Sequence, residues 1–353
     1  MTNPIKIAIL GAGRWGSHLI RNFNNHPDAE VVAVVDPSID QLKAVQERLQ
    51  LNPNIALETD WLTVMNQCEL DAVVVATPAS THYLLISEAL KRGYHVFTEK
   101  PLTLKLSESE ALCQLAQQQN RQLFVDHTYL FHPAVEKGQA VIDQGTLGQL
   151  RYGYAARTHL EPVRLDVDAL WDLAIHDIGI FNTWLGEQPI QVQATGTVWL
   201  QPETQLDVSS PRFPVSNNTP GLSDLVIATL TYWSGFQVFL HHCWLNPDKQ
   251  RRLAVVGSEG TLIFDELLKE APLTLQRGYL NPVGRGWKAA GTQTEVIPLE
   301  TTEPLAQVCD RFLHCVRRNQ PSAVSSGKVG AELVRVLCGL TQSLQTGGQV
   351  VQL

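Results

Sequence analysis

Residues 5–19 read IKIAILGAGRWGSHL, an apolar run followed by three glycines and the start of a segment that favours a helix. Gly11, Gly13 and Gly16 have the spacing G-x-G-x-x-G. In such a turn the first glycine permits a tight bend, the second lets a pyrophosphate approach the backbone, and the third lets the helix pack on the strand. The stretch therefore predicts a dinucleotide site.

A carboxylate follows the next strand of the sequence. The strand AEVVAVVD ends at Asp36, twenty residues after Gly16. A carboxylate at this place accepts hydrogen bonds from both ribose hydroxyls of the adenosine and repels a 2′-phosphate, so the pattern favours NAD over NADP. Alternatively, Asp36 only caps the following turn. Arg14 and Trp15 lie within the glycine turn, and we expect them to contact the same cofactor.

The order of the apolar segments indicates two domains. In the first 125 residues, strand-like runs alternate with helix-like segments, as in a doubly wound parallel sheet covered by helices on both faces. From about residue 128, strand candidates follow one another across short polar turns, which indicates an antiparallel sheet. We predict an α/β protein with a Rossmann domain at residues 1–127 and a second α/β domain at 128–353, whose C-terminal helices could pack back on the first.

Polar residues follow two further strands of the predicted parallel sheet. Thr77 and Pro78 come after VVVA, and His82 lies in the first turn of the next helix-like segment. Glu99 and Lys100 follow the strand GYHVFT. Because ligands of open α/β sheets bind beyond the carboxyl ends of the strands, we expect all five residues beside the cofactor. The ammonium of a lysine there suits stabilisation of a developing alkoxide, whereas His82 could equally be a solvated helix residue.

A second group of candidate residues lies in the other half of the chain. In LWDLAIHDIG, Asp172 and His176 are four residues apart and share one face of a helix. His176 suits the removal of a hydroxyl proton at neutral pH, although Asp172 could be only a helix cap and His176 only a buried core histidine. Arg157 and Arg164 flank THLEPV and could bind a substrate carboxylate or diphosphate, or could be solvated arginines at a strand end.

Composition limits the class of protein. The chain has 353 residues and a net charge of −8, which argues against a general nucleic-acid binder. No run approaches the roughly 20 apolar residues of a membrane span, and the first strand lacks the long apolar region of a signal peptide. Six cysteines are scattered without a C-x-x-C pair, which suggests neither a zinc site nor a disulfide framework. We therefore expect a soluble cytoplasmic protein without a metal and without a nucleic-acid or membrane partner.

Four segments together resemble the Gfo/Idh/MocA oxidoreductase family: ILGAGRWG, TPASTHYLLISEALKRGYHVFTEKPLTL, WDLAIHD and VVGSEGTLIFDE. The resemblance implies a Rossmann domain followed by an α/β domain with an open, mostly antiparallel sheet that is often buried in a dimer interface. It also implies a cis peptide before Pro101, a homo-dimer or homo-tetramer, and hydride transfer between NAD and sugars or cyclitols. Lys100 and His176 match the catalytic lysine and histidine of the family, and which of them acts as the base stays open.

Within the family, DVDALWDLAIHD and CWLNPDKQRRLAVVGSEG are similar to the nucleotide-sugar branch, which includes UDP-N-acetylglucosaminuronate 3-dehydrogenases. Many members carry a glycine-rich run before the aspartate, and its absence here argues against free sugars and inositols. A segment from Pro202 to Ser223 has no counterpart that we can assign. The expected activity is oxidation of a secondary sugar hydroxyl with NAD. The alternatives are an NAD(P)H-dependent reductase of an aldose, a ketose or another carbonyl substrate, and a cofactor-sensing regulator without turnover.

Overall fold

A computed structural model describes residues 3–201, 221–300 and 302–353. Its contacts divide the chain into two compact units, one formed by Met1–Phe131 with Thr302–Val334 and the other by His132–Thr301 with Arg335–Leu353. The segment from Pro202 to Ser223, for which the sequence offers no counterpart, lies outside the described residues except for its last three.

The first unit begins with strands and helices in alternation, as the sequence predicts. Each strand run is short and apolar, and a glycine, proline or polar turn separates it from the next helix. The elements are β1 (Ile5–Leu10), α1 (Arg14–Asn24), β2 (Ala29–Val35), α2 (Ile39–Leu49), β3 (Ala56–Glu58), α3 (Trp61–Gln67), β4 (Ala72–Val75), α4 (His82–Lys91), β5 (His95–Thr98), α5 (Leu106–Gln118) and β6 (Leu123–Val125).

The strands of this unit form one parallel sheet in the order β3-β2-β1-β4-β5-β6. The order reverses between β1 and β4, and in doubly wound sheets ligands bind at this point, beyond the carboxyl ends of the strands. Strand β4 is buried along its whole length, as expected where helices cover both faces. Sequence analysis missed β3, which has three half-buried residues, and the short helix α3 that follows it.

The second unit begins with a helix and then becomes mainly sheet. Its elements up to residue 300 are α6 (Pro133–Asp143), β7 (Leu150–Leu160), a π-helical turn (Leu170–Ala174), α7 (Ile175–Leu185), β8 (Pro189–Thr197), β9 (Leu225–Tyr232), β10 (Gln237–Cys243), β11 (Leu245–Gly257), β12 (Gly260–Asp265), β13 (Leu273–Val283) and β14 (Gly286–Val296).

The chain ends with α8 (Pro304–Arg318), α9 (Gly327–Gln345) and β15 (Val351–Gln352). Helix α8 belongs to the first unit, where the ring of Phe312 lies 5.4 Å from that of Phe97 and 5.8 Å from that of Phe124. In the described part of the chain, no helix is long and apolar enough to cross a membrane.

The sheet of the second unit has the order β14-β13-β12-β11-β7-β10-β9-β8-β15 among the described residues. Only β7 and β10 pair in parallel, and the other neighbours in this list are antiparallel. A hairpin with Ser234 and Gly235 at its turn joins β9 to β10. Sequence analysis missed the long hairpin of β13 and β14, whose side chains are mostly exposed on both faces and so show no apolar alternation. The predicted fold class, a parallel Rossmann sheet followed by a mostly antiparallel sheet, is confirmed.

Candidate active site

The glycine turn of the first unit forms a cradle at the start of α1. Gly11 has φ +102°, and a Cβ on it would lie 2.5 Å from the carbonyl oxygen of Ala76. A Cβ on Gly16 would lie 2.0 Å from the carbonyl oxygen of Gly11, so both positions require glycine. A Cβ on Gly13 would meet nothing within 4 Å, which leaves space for a ligand to approach the backbone.

Helix α1 begins at Arg14, with Gly13 as its N-cap, so the N–H groups of its first turn have no intrahelical acceptor. These donors and the positive end of the helix dipole suit a diphosphate. Trp15 in the same turn is half-exposed. The cradle therefore fits the pyrophosphate of a dinucleotide.

Asp36 lies directly after β2 and faces the same turn. Its Oδ2 accepts a hydrogen bond from the backbone N–H of Ala12 at 2.8 Å, and its Oδ1 accepts one from the backbone N–H of Ser38 at 2.9 Å. The hydrogen bond from Ser38 caps the turn after β2, as the alternative interpretation of Asp36 predicts. Because each carboxylate oxygen can accept more than one hydrogen bond, contact with ribose hydroxyls stays open as a prediction.

The ends of β4 and β5 lie side by side, because Val75 pairs with Thr98 in the parallel register. The backbone N–H of Glu99 donates to the carbonyl oxygen of Val75 at 2.9 Å and ties the two strand ends together. The segment carrying Glu99 and Lys100 therefore starts next to the segment carrying Thr77 and Pro78. Both Glu99 and Lys100 are half-buried, and the peptide between Lys100 and the following proline is cis, as the family resemblance implied.

His82 is buried and only 1% exposed, so the interpretation as a solvated helix residue is wrong. Its Nδ1 lies 2.9 Å from the carbonyl oxygen of Pro101, and its Nε2 lies 2.9 Å from the carbonyl oxygen of Thr77. The ring thus contacts the backbone of both segments at the strand ends.

Two residues at the next strand end, Asp126 and His127, are not among the candidates predicted from the sequence. Both are buried directly after β6, and the charge of Lys100 acts on both. Burial raises the pKa of Asp126 to about 6, although hydrogen bonds from Thr128 and the charge of Lys100 oppose it. Burial, helped by the charge of Lys100, lowers the pKa of His127 to about 3. Lys100 was a candidate because it is a polar residue that follows a parallel strand. The same pattern occurs at the end of RQLFVD, residues 121–126, and could have identified Asp126 and His127.

Oδ2 of Asp126 and Nε2 of His127 have no hydrogen-bond partner among residues 3–201, 221–300 and 302–353. Buried polar atoms without partners are uncommon in folded proteins, and each requires an explanation. Here they lie beside Lys100, at the sheet edge where a doubly wound fold binds its ligand. Bound ligand or water can supply the missing partners.

In the second unit, Asp172 lies in the π-helical turn and His176 in the first turn of α7. Such turns are rare and occur often at functional sites. Ala169 is the N-cap of this turn, and Oδ1 of Asp168 just before it accepts a hydrogen bond from the backbone N–H of Trp171 at 3.0 Å, so that Asp172 lies inside the turn. The interpretation of Asp172 as the helix cap is therefore wrong. Burial raises the pKa of Asp168 to about 6, against the effect of its backbone hydrogen bonds.

Arg157 is only 3% exposed, so it is not a solvated arginine at a strand end. Its Nη2 lies 2.7 Å from Oδ1 of Asp177 and 2.8 Å from Oε1 of Glu266. Oδ2 of Asp177 lies 2.9 Å from Nε2 of the buried His242. Burial acts to raise the pKa of Asp177, but the charge of Arg157 and the bonds from both partners outweigh it and leave the pKa lowered. This buried network holds Asp177, the residue of α7 that follows His176. Substrate binding by Arg157 stays a prediction.

The structure brings Arg164 and Asp172 together. Nη1 of Arg164 lies 3.5 Å from Oδ1 of Asp172, and its Nη2 lies 2.7 Å from Oδ2 of Asp166. The hydrogen bond to Asp166 is the main cause of a raised pKa of Arg164. The guanidinium is partly exposed, with 30% of its side-chain surface accessible.

Two family profiles match the chain in succession. Residues 5–127 match the profile described as the oxidoreductase family with an NAD-binding Rossmann fold, and residues 135–263 match the GFO/IDH/MocA C-terminal domain. The chain belongs to the GFO/IDH/MocA oxidoreductase family. The predictions of an oxidoreductase and of NAD as its cofactor are thereby confirmed.

Among curated relatives, the UDP-N-acetylglucosamine 3-dehydrogenase of Acidithiobacillus ferrooxidans is 33% identical over 281 residues, which cover 78% of this chain and 81% of the relative. The scyllo-inositol 2-dehydrogenase (NAD(+)) of Bacillus subtilis is 26% identical over 336 residues, which cover 92% of this chain and 90% of the relative. A solved structure of the WlbA dehydrogenase of Bordetella pertussis, in complex with NADH and UDP-GlcNAcA, has 18% identity and a TM-score of 0.76 over 99% of both chains. At that identity the solved structure supports the fold alone.

Replacing Asp36 with alanine tests its contact with the ribose. We expect the ratio of NAD affinity to NADP affinity to fall by at least about tenfold, because the variant loses an acceptor for the 2′-hydroxyl and no longer repels a 2′-phosphate. Calorimetric titration with both dinucleotides measures this ratio. Asp40→Ala, an exposed carboxylate four residues on, is the control and should leave the ratio unchanged. Equal weakening for both dinucleotides in Asp36→Ala would mean that Asp36 only shapes the turn.

The raised pKa of Asp126 predicts a pH-dependent stability. Its pKa is about 6 in the folded protein and near 3.8 in an ordinary aspartate, so the unfolded state loses this proton first and stability falls as the pH rises from about 4 to about 6. Asp126→Asn cannot ionise. Its unfolding temperature should therefore match that of the wild type at about pH 4 and exceed it at about pH 8. Thermal unfolding by circular dichroism measures the difference, with the exposed Asp40→Asn as control. The same difference at both pH values would contradict the assignment.

Proposed function

We propose that this protein is an NAD-dependent dehydrogenase that oxidises a secondary ring hydroxyl of a UDP-linked sugar, with the 3-hydroxyl as the reacting group. The observation that carries the proposal is the sheet edge of the first unit, where Lys100 shares the strand ends with the buried Asp126 and lies one strand from the β1–β4 crossover. The sugar class and the carbon are supported by the relative that is 33% identical and named a UDP-N-acetylglucosamine 3-dehydrogenase.

The cofactor is held by residues of the first unit in this proposal. The glycine turn, with Arg14 and Trp15, binds the pyrophosphate, and Asp36 binds the adenosine ribose. Thr77, Pro78 and Glu99, at the ends of β4 and β5, flank the nicotinamide half. NAD supplies a hydride acceptor when it is bound.

Three side chains carry the proton chemistry in this proposal. The ammonium of Lys100 donates a hydrogen bond to the substrate hydroxyl and stabilises negative charge as it develops on that oxygen. His176 accepts the hydroxyl proton as the general base. Asp172, half-buried in the π-helical turn, accepts hydrogen bonds within this polar group and orients its members. Lys100 belongs to the first unit and the other two to the second, so their joint action is part of the proposal.

The anionic part of a nucleotide sugar requires a cation, and Arg164 suits that role. Its guanidinium is partly exposed and contacts Asp172, one of the proposed active-site residues. An arginine can bind a phosphate through two parallel hydrogen bonds. Arg157, in contrast, is only 3% exposed and contacts Asp177 and Glu266, and we propose that it positions α7, on which His176 lies, rather than binding substrate itself.

We also propose a cytoplasmic homo-oligomer, either a dimer or a tetramer. In β9 and β10 the side chains alternate between buried and accessible, and the accessible face of the sheet carries Tyr152, Ile227 and Phe239, each at least 40% exposed. Contiguous apolar groups on a sheet face are typical of an interface. All six cysteines are free thiols, which supports a reducing compartment.

Turnover tests the central assignment. We expect purified protein to form NADH, followed by absorbance, with NAD and UDP-N-acetylhexosamines but not with free sugars. Lys100→Met should reduce the rate by at least about 10³-fold, because it removes the group that stabilises the developing charge, while NAD affinity stays within about threefold. Lys105→Met, an exposed lysine nearby, is the matched control and should keep its activity. Near-wild-type turnover by Lys100→Met would remove Lys100 from the mechanism.

Two other outcomes of the same assay would contradict the proposed reaction. Turnover only with NADPH and an aldose or ketose would identify a reductase. Binding of NAD without turnover of any substrate in either direction would favour a cofactor-sensing regulator.

The oligomer proposal has its own test. Phe239→Glu places a charge on the accessible sheet face and should lower the molar mass in light scattering after size exclusion, because burying an unpaired charge in an apolar interface is costly. Leu268→Glu, on a loop and 53% exposed, is the control and should not change the mass. An unchanged oligomer in Phe239→Glu would contradict the proposed interface.

A further inference from the structure

His82 joins the two segments that follow β4 and β5. Its ring is 1% exposed, and each of its nitrogens lies 2.9 Å from a main-chain carbonyl oxygen, one of Pro101 and one of Thr77. The hydroxyl of Thr98, the last residue of β5, lies 3.5 Å from the same Nδ1. A ring buried in this way touches the backbone of the proposed cofactor-binding residue Thr77 and the backbone next to the proposed catalytic residue Lys100.

Each of the two segments has attachments besides His82. In the Thr77 segment, the hydroxyl of Thr81, the residue before α4, lies 2.7 Å from that of Thr77 and donates to the carbonyl oxygen of Pro78 at 2.8 Å. On the other side, Pro101 has no N–H with which to hold its own backbone. In the Lys100 segment the backbone N–H of Glu99 donates to the carbonyl oxygen of Val75 at 2.9 Å, and Nδ1 of His82 contacts the carbonyl group of Pro101, the residue directly after Lys100.

We propose that His82 is a positioning residue of the dehydrogenase, which fixes the backbone around Lys100 relative to the Thr77 segment. The inference rests on the proposed function of Lys100. It assigns to His82 no contact with the substrate. His82 acts through the carbonyl group of Pro101, and loss of this contact leaves the Lys100 ammonium present but poorly placed, which is costly because proximity effects depend on ångström-scale geometry.

Two amide variants separate the two contacts. Asparagine places an N–H donor near the position of Nδ1 and cannot reach as far as Nε2, whereas glutamine places one near Nε2 and leaves the Nδ1 position empty. Asn at residue 82 therefore keeps the contact to Pro101, and Gln keeps the contact to Thr77. Tyr83→Gln, at the next position and 40% exposed, is the matched control.

We expect His82→Gln to lower kcat by at least about tenfold with a smaller change in the KM for NAD. His82→Asn should restore most of kcat and act mainly on the KM for NAD. A purely structural role of His82 would lower thermal stability and impair kcat and KM together in both variants, and that result would overturn the proposal.

Amide hydrogen exchange tests the same proposal without turnover. Peptides covering residues 98–105 should exchange faster in His82→Gln than in His82→Asn, and peptides covering 76–81 should show the opposite order, with Tyr83→Gln like wild type in both. If the two variants show this pattern but the wild type oxidises no sugar, the proposed function fails and the positioning of the two segments stands. If both variants show equal exchange in both peptides, the positioning proposal fails whatever the substrate.

Discussion

Parallel strand pairing is the constraint on which the first unit depends. Because Val75 pairs with Thr98, and Thr98 with Val125, the chain must leave β4, β5 and β6 at one edge of the sheet. Residues that are far apart in sequence thereby become neighbours at that edge. The glycine cradle at the end of β1 and the lysine after β5 are consequences of the same geometry.

Burial at this edge gives the polar groups their chemistry. A carboxylate in a dry environment ionises with difficulty unless a cation is near, and Asp126 lies within the field of Lys100. Burial and the charge of the same cation both favour the neutral form of His127. The lysine is thus placed among groups that respond to its charge, whereas a solvent-exposed lysine would be screened by water. This environment is the physical reason for assigning chemistry to Lys100 rather than a solvated surface role.

Local patterns predicted much of this arrangement. The spacing of Gly11 and Gly16 could be recognised in the sequence, and its physical cause is that neither position leaves space for a Cβ. Strand β4 could be recognised because a strand covered on both faces is apolar throughout. Other features depend on contacts that no local pattern contains. Arg157 is buried because its carboxylate partners come from 20 and 109 residues further along the chain. The contacts of His82 likewise come from residues 5 and 19 positions away in sequence, on two different segments.

Transfer of deuterium is the most direct test of the proposed reaction. UDP-N-acetylglucosamine labelled with deuterium at C3 would be incubated with the protein and NAD, and the mass of the NADH formed would be determined. The account predicts NADH that is one mass unit heavier, together with a slower rate for the labelled substrate when hydride transfer limits turnover. Unlabelled NADH would show that the hydride comes from another carbon, and absence of NADH would contradict oxidation of this sugar.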